Sequence, residues 1–116
     1  MSADFKRIPA VFYRTDTGRE PVRMWLKELG ADDRRQLGKD IATAEYGWPV
    51  GMPLCRSLGG GLWEIRSSLG SSKIARVIFC IAHGRMILLH AFIKKSQKTP
   101  AGDLKIARER QKEIEQ

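Results

Sequence analysis

The chain has 116 residues and a formal net charge of +8, because 21 Lys and Arg outnumber 13 Asp and Glu. This length allows one small hydrophobic core, so we expect a single domain over 1–116, and the 42% of hydrophobic residues argues against a disordered chain. No apolar run reaches the roughly 20 residues of a membrane-spanning helix, and the amino terminus has no secretory signal, so we expect a cytoplasmic protein without membrane contact.

The first part of the chain predicts a strand followed by two helices. Residues 8–14 are rich in β-branched and aromatic side chains and precede a polar turn, which is typical of a strand. Pro21 suits the first turn of a helix, and apolar residues at helical spacing follow it. A second helix is expected to begin near Asp32 or Asp33 and to end at Gly47.

The remainder predicts an irregular segment, three strands and a last helix. Residues 47–61 contain two prolines and five glycines, which indicates irregular structure. Thr99 and Pro100 indicate the N-cap and first turn of a terminal helix. The three strands, with short connections typical of an antiparallel meander, are expected over 62–68, 73–82 and 85–94.

The order strand, helix, helix, strand, strand, strand, helix predicts an α+β fold. We expect an antiparallel sheet of about four strands with the helices packed on one face. The two cysteines, Cys55 and Cys80, belong to no CxxC pair, and no His and Cys residues have the spacing of zinc ligands. Two free thiols and no metal ion or other cofactor are therefore expected.

Positive charge is concentrated in the second half of the chain, where 59–116 carry a net charge of +6 from eleven basic and five acidic residues. Because the predicted elements there are mainly strands, this charge favours a polyanionic partner over a solvated helix surface. No acidic residue lies between Glu64 and Asp103, whereas seven basic residues do: Arg66, Lys73, Arg76, Arg85, Lys94, Lys95 and Lys98.

The alternation of side chains along the last three strands groups several polar residues. Successive side chains of a strand point to opposite faces, so residues of the same parity share a face. The simplest assembly leaves one face apolar and exposes the other. The residues expected together on that common, less buried face are Arg66, Arg76, His90, Phe92 and Lys94.

Three segments of the sequence, LWEIR, ARVIF and LLHAFIKKSQKTP, occur in this order within residues 62–100. With them the chain resembles the RelE/HigB-like toxins of bacterial type II toxin–antitoxin systems, in the phage-derived branch related to HigB. The resemblance implies a RelE/ParE-like fold and a metal-independent endoribonuclease that cuts mRNA on the ribosome. It also implies a HigA-like antitoxin partner with a helix-turn-helix domain.

An enzyme of this kind must stabilise negative charge on a phosphate and move protons without a metal. Arg66 and Arg76 suit phosphate binding and transition-state stabilisation, since a guanidinium is always charged and offers forked donors. Proton transfer is assigned to Lys94 or Lys95, and strand parity favours Lys94. His90 has two open roles, general acid–base catalysis and hydrogen-bonded packing.

The remaining candidates have weaker assignments. Phe92 either stacks on an RNA base or packs in the core. Glu64 either pairs with an arginine and holds it in place or acts as a base. Diffuse attraction to RNA is assigned to Lys73, Arg85 and Lys98. Two alternatives to the nuclease stay open at this point, a ParE-like gyrase poison on the same fold and a non-catalytic basic RNA-binding module.

Overall fold

The computed structural model describes residues 7–94 and 99–115. Over these ranges the chain forms five strands and three α-helices, with a single 3₁₀ turn at Gly70–Ser72. In chain order the elements are β1 (Ala10–Phe12), α1 (Pro21–Lys27), α2 (Ala31–Gly47), β2 (Cys55–Gly59), β3 (Leu62–Ser68), β4 (Ile74–Ala82), β5 (Arg85–Lys94) and α3 (Ala101–Glu115).

The five strands form one sheet in the order β1-β5-β4-β3-β2. The meander from β2 to β5 is antiparallel, but β1 pairs with β5 in parallel, with Val11 opposite Ile87. The prediction of an all-antiparallel sheet of about four strands was therefore wrong in two respects. The α+β class and the three consecutive antiparallel strands are confirmed.

The strand that the prediction missed is β2, which lies inside the Gly- and Pro-rich stretch. It pairs with β3 across a two-residue turn, Gly60 and Gly61, and these two glycines and Gly59 at the end of β2 have positive φ, a conformation that other residues rarely adopt. The register slips between Ser57 and Gly59. Glycines in a sequence indicate turns. The short strand beside these glycines is hard to predict, because its stability comes from pairing with β3.

The helices cover both faces of the sheet, so the prediction that they pack on one face was wrong. The first face is covered by α1 and α2 around an apolar core that includes Val22, Leu37 and Phe79. The second face lies under α3, which packs on β4 and β5 and buries Ala107 beside Ile78. Because α3 carries only a narrow apolar stripe, polar side chains remain beneath it.

A β-bulge in β5 changes the faces that simple alternation assigns. Ile78 pairs with His90 and Phe79 pairs with Leu88, which leaves Leu89 without a counterpart. Met86 and Leu88 belong to the apolar core under α1 and α2, whereas Ile78, the partner of His90, belongs to the core under α3. Strict alternation along β5 would place Met86 and Leu88 on the same face as His90, and the extra residue reverses this alternation.

Several local predictions are confirmed. α1 begins at Pro21 and α2 ends at Gly47, and β5 has the predicted bounds. The cysteines are free and buried. The N-cap assignment fails, because α3 begins at Ala101 and the Thr99 hydroxyl instead donates to Glu64 at 2.7 Å. Within the described ranges, none of the helices has the length and apolar character needed to cross a bilayer.

Candidate active site at one end of the sheet

Three cross-strand rows at one end of the sheet bring the predicted site residues together. They lie where β3 ends, β4 begins and β5 ends, on alternate residues of each strand. From the end inward, the rows are Ser68–Ile74–Lys94, Arg66–Arg76–Phe92 and Glu64–Ile78–His90. Alternation along a strand therefore places the five predicted residues on the face that α3 covers.

The Arg76 guanidinium is buried in an ion pair and does not lie on an open surface. Arg76 is 1% exposed, and its Nη1 donates to Glu64 Oε1 at 3.0 Å, with Glu64 0% exposed. The second Glu64 oxygen accepts a hydrogen bond from the Thr99 hydroxyl. The prediction that Arg76 lies on a less buried face was wrong. The guanidinium is buried because it pairs with Glu64, which lies one row further from the end of the sheet. The pairing role suggested for Glu64 is present in the structure.

Arg66 lies directly opposite Arg76 in the register and has a different environment. It is partly buried, and its Nε atom is buried without a hydrogen-bond partner among the residues that the structure describes. Like charges opposite each other on neighbouring strands are destabilising. Pairing of Arg76 with Glu64 relieves this repulsion and leaves Arg66 as the arginine of this row without a carboxylate partner among the described residues.

His90 is held by the first turn of α3. Its Nε2 lies 2.6 Å from Asp103 Oδ1, and both side chains are mostly buried. A carboxylate only accepts hydrogen bonds, so this contact places the proton on Nε2 and leaves Nδ1 as the nitrogen that can accept another. The imidazole stacks on Phe92, with ring centroids 5.7 Å apart and planes 27° from parallel. Both arrangements fix the orientation of the ring.

The remaining predicted cations have different positions. Lys94 ends β5 and is half-buried, whereas Lys95 and Lys98 lie outside the described residues. Lys73 forms an ion pair with Asp33 of α2 at 3.2 Å, so it fastens the turn before β4 to the helix. Arg85 lies at the opposite end of β5, nine residues or roughly 30 Å from Lys94, and the structure separates it from the site.

Sequence reasoning missed Thr99 and Asp103 as members of the site. Both lie on the segment that returns over the sheet after β5, so their contacts depend on how α3 docks. Asp103 could have been suspected, since it is the first acidic residue after the basic run and suits the positive end of a helix. No group of three or more His, Cys, Asp or Glu side chains within 7–94 and 99–115 is arranged to hold a metal ion.

The arrangement has the chemical groups that are needed to bind an anion and to transfer protons. A partly buried guanidinium, an imidazole oriented by a carboxylate and an ammonium group lie in adjacent rows of the same strands. A guanidinium matches the geometry of phosphate, and an oriented imidazole is the commonest acid or base in proteins.

The fold and this cluster define a small basic α+β protein with a cationic, ionisable site at one end of its sheet. The sequence model of the family described as Phage derived protein Gp49-like (DUF891) matches residues 24–112, from α1 to the last turn of α3. The chain therefore belongs to this family, which is a RelE-like toxin family of toxin–antitoxin systems. No curated protein shows significant sequence similarity to the chain.

Proposed function

We propose that the protein is the toxin of a toxin–antitoxin pair and that it cuts mRNA on the ribosome without a metal ion. Membership of the Gp49-like family supports the toxin assignment. The resemblance of the segments LWEIR, ARVIF and LLHAFIKKSQKTP supports the HigB-related branch. It also supports a HigA-like antitoxin with a helix-turn-helix domain.

The observation that carries the nuclease assignment is the contrast between the two arginines. Arg76 has its charge balanced by Glu64, whereas Arg66 has no carboxylate partner among the described residues. A partly buried charge without a counter-charge lowers stability, so its retention needs a reason. A phosphate of the RNA supplies both the hydrogen bond and the opposite charge.

Cleavage without a metal requires three chemical steps. A base removes the proton of a ribose 2′-hydroxyl, the oxygen attacks the adjacent phosphorus, and an acid protonates the departing 5′-oxygen. We assign the base to His90, whose Nδ1 is left to accept a proton, and the acid to Lys94 or Lys95. Arg66 stabilises the additional negative charge on the phosphate during the attack. Arg76 acts as a positioning residue through Glu64.

The antitoxin must suppress a strongly positive site. An acidic segment lying over the rows that contain Arg66 and Lys94 would neutralise the charge that attracts RNA and would block access to the phosphate site. Lys73, Lys98 and Arg85 contribute general attraction to ribosomal RNA in this proposal.

The experiment maps mRNA 5′ ends after purified protein is added to translating ribosomes. Wild type is expected to produce breaks at fixed positions within codons, and Arg66→Gln is expected to reduce the rate about 10²- to 10³-fold through the lost charge stabilisation. Arg85→Gln is the matched control, because it removes the same charge from β5 at the opposite end of the sheet, and it should cut at nearly the wild-type rate.

Two results would contradict the proposed activity, and a third would contradict the role of Arg66. Intact mRNA accompanied by trapped gyrase–DNA complexes would indicate the ParE-like activity instead. Intact mRNA with salt-sensitive RNA binding would indicate a non-catalytic RNA-binding module. Equal loss of cleavage in Arg66→Gln and Arg85→Gln would remove Arg66 from the site and leave only general electrostatic attraction.

A further inference from the structure

A cleft opens at the edge of the sheet beside Arg66, at the point where β2 stops pairing with β3. The last pair between these strands at this end is Cys55–Ile65, and the Arg66 amide donates instead to the Leu54 carbonyl at 2.8 Å. The space has a volume of about 360 Å³, within the range of small-ligand sites. Its walls include Gln36, Asp40, Pro53, Leu54, Arg66 and Ile74.

The polar groups on the α2 wall of this cleft are ordered. Asp40 Oδ2 accepts from the Ser67 hydroxyl at 2.5 Å and from Gln36 Nε2 at 3.2 Å. A carboxylate has about four acceptor positions, so these two bonds leave the Oδ1 atom of Asp40 available. The Gln36 amide turns its NH₂ group toward Asp40, which leaves its oxygen for a ligand. This wall therefore presents hydrogen-bond acceptors.

The opposite side of the cleft has the complementary chemistry for a nucleotide. Arg66 brings a positive charge and a buried donor without a partner in the described chain, which suits a phosphate. Pro53, Leu54 and Ile74 provide apolar surface on which a flat ring can lie. Ile74 is also the register partner of Lys94, so the cleft joins the proposed active site.

We propose that the cleft binds one base of the RNA next to the phosphate held by Arg66, and that Asp40 and Gln36 select bases with an exocyclic amino group. Adenine, cytosine and guanine each carry such a donor, whereas uracil has carbonyl acceptors at its exocyclic positions and a single donor, the ring N3–H, between them. Acceptors on the wall therefore disfavour uracil at this position. The inference rests on the proposed function, because it deepens the description of the same RNA site.

The test compares wild type with Asp40→Asn in the mapping of mRNA 5′ ends. Wild type should avoid uracil at one fixed position relative to the break by about fivefold or more, the discrimination of one good base contact. Asp40→Asn keeps an oxygen for Ser67 and presents an NH₂ group to the cleft, so the avoidance of uracil should disappear while the mRNA is still cut.

The matched control is Asp32→Asn, which makes the same charge change on an exposed residue of the same helix. It should keep the wild-type base preference, and urea unfolding of all three proteins checks that each is folded. A wild-type protein without base bias at any fixed position, or an Asp40→Asn protein with unchanged bias, would overturn the inference.

If wild type leaves mRNA intact, the proposed function fails but the cleft is tested by binding. Tighter binding of oligoadenylate than of oligouridylate, with the difference lost in Asp40→Asn and kept in Asp32→Asn, would support the base site. An unchanged difference in Asp40→Asn would overturn it.

Discussion

The two faces of the sheet differ in what they bury. Under α1 and α2 the core is mainly apolar, with Ile65, Val77 and Phe79 fully buried, although Glu45 and Ser67 are buried there too. Under α3, neighbouring residues of the same strands bury the ions Glu64 and Arg76. A buried ion pair adds little stability compared with apolar residues of similar size, because both charges lose their hydration. The first face therefore stabilises the fold, and the second keeps polar groups that stability alone does not require.

The largest predicted effect concerns this buried pair. Glu64→Gln removes the carboxylate that balances the buried charge of Arg76 and should lower the free energy of unfolding by about 3–5 kcal/mol. Adding Arg76→Met removes that charge and should restore most of the lost stability, since apolar replacement of a buried pair is often neutral. Urea unfolding measures both variants.

The double variant separates positioning from stability. If Glu64 and Arg76 position the site, the restored protein should still cut mRNA much more slowly than wild type. Cleavage at the wild-type rate by the Glu64→Gln/Arg76→Met protein would show that the pair is only structural, and the contrast between the two faces would then lose its functional meaning.

The next effect tests the orientation of His90 by α3. Asp103→Asn keeps the shape of the side chain but replaces an acceptor-only group, so it should lower the cleavage rate about 10²-fold and alter its dependence on pH. Glu109→Gln removes one negative charge from an exposed position of the same helix and should change neither. Equal rates in the two variants would limit His90 to packing.

A smaller effect compares the same substitution on the two faces. Ile65 and Ile78 are both 0% exposed, the first under α1 and α2 and the second under α3. Removing one methylene by Ile→Val should lower the free energy of unfolding by about 0.5–1.5 kcal/mol at either position. Ile78 lies between Glu64 and His90 in one row, so only Ile78→Val should also slow cleavage by the folded protein, by about threefold or more. Slower cleavage by Ile65→Val would contradict the division of roles.

The smallest effect concerns the contact between α2 and the turn before β4. The Gly70 amide, and then Lys73, lower the pKa of Asp33 below its ordinary value. A lowered pKa in the folded state contributes stability above the ordinary pKa of about 3.9, and that stability is lost as the pH falls through the lowered value. Asp33→Asn should therefore be slightly less stable than wild type at pH 7. In urea unfolding, the difference in stability between Asp33→Asn and wild type should be smaller in acid than at pH 7. An equal difference at both pH values would contradict this prediction.

Much of the fold could be predicted from local patterns. Side-chain alternation predicts the bounds of β5, a proline predicts the start of α1, and a glycine predicts the end of α2. Each of these signals lies within a few residues of the feature that it predicts. The parallel pairing of β1 with β5 could not be predicted, because three residues pair with a strand some 75 positions later. The bulge at Leu89 could not be predicted either, since no residue of this apolar run indicates that one position is unpaired.

The residues of the candidate site were predicted better than their geometry. Arg66, Arg76, His90, Phe92 and Lys94 lie in adjacent rows, as parity grouped them, although the bulge separates Met86 and Leu88 from them. The burial of Arg76 could not be read from parity, because it depends on Glu64 in the neighbouring row and on Thr99 from beyond β5.

The sequence by itself determined which chemical groups the protein can use: a strongly basic second half, a histidine in an apolar strand and arginines on two adjacent strands. These follow from composition and from the period of a strand, which are local properties. Only the tertiary structure decided which arginine is neutralised by a carboxylate and which is not. That difference arises from contacts between β3, β4 and the segment before α3, and such contacts form only when distant parts of the chain pack together.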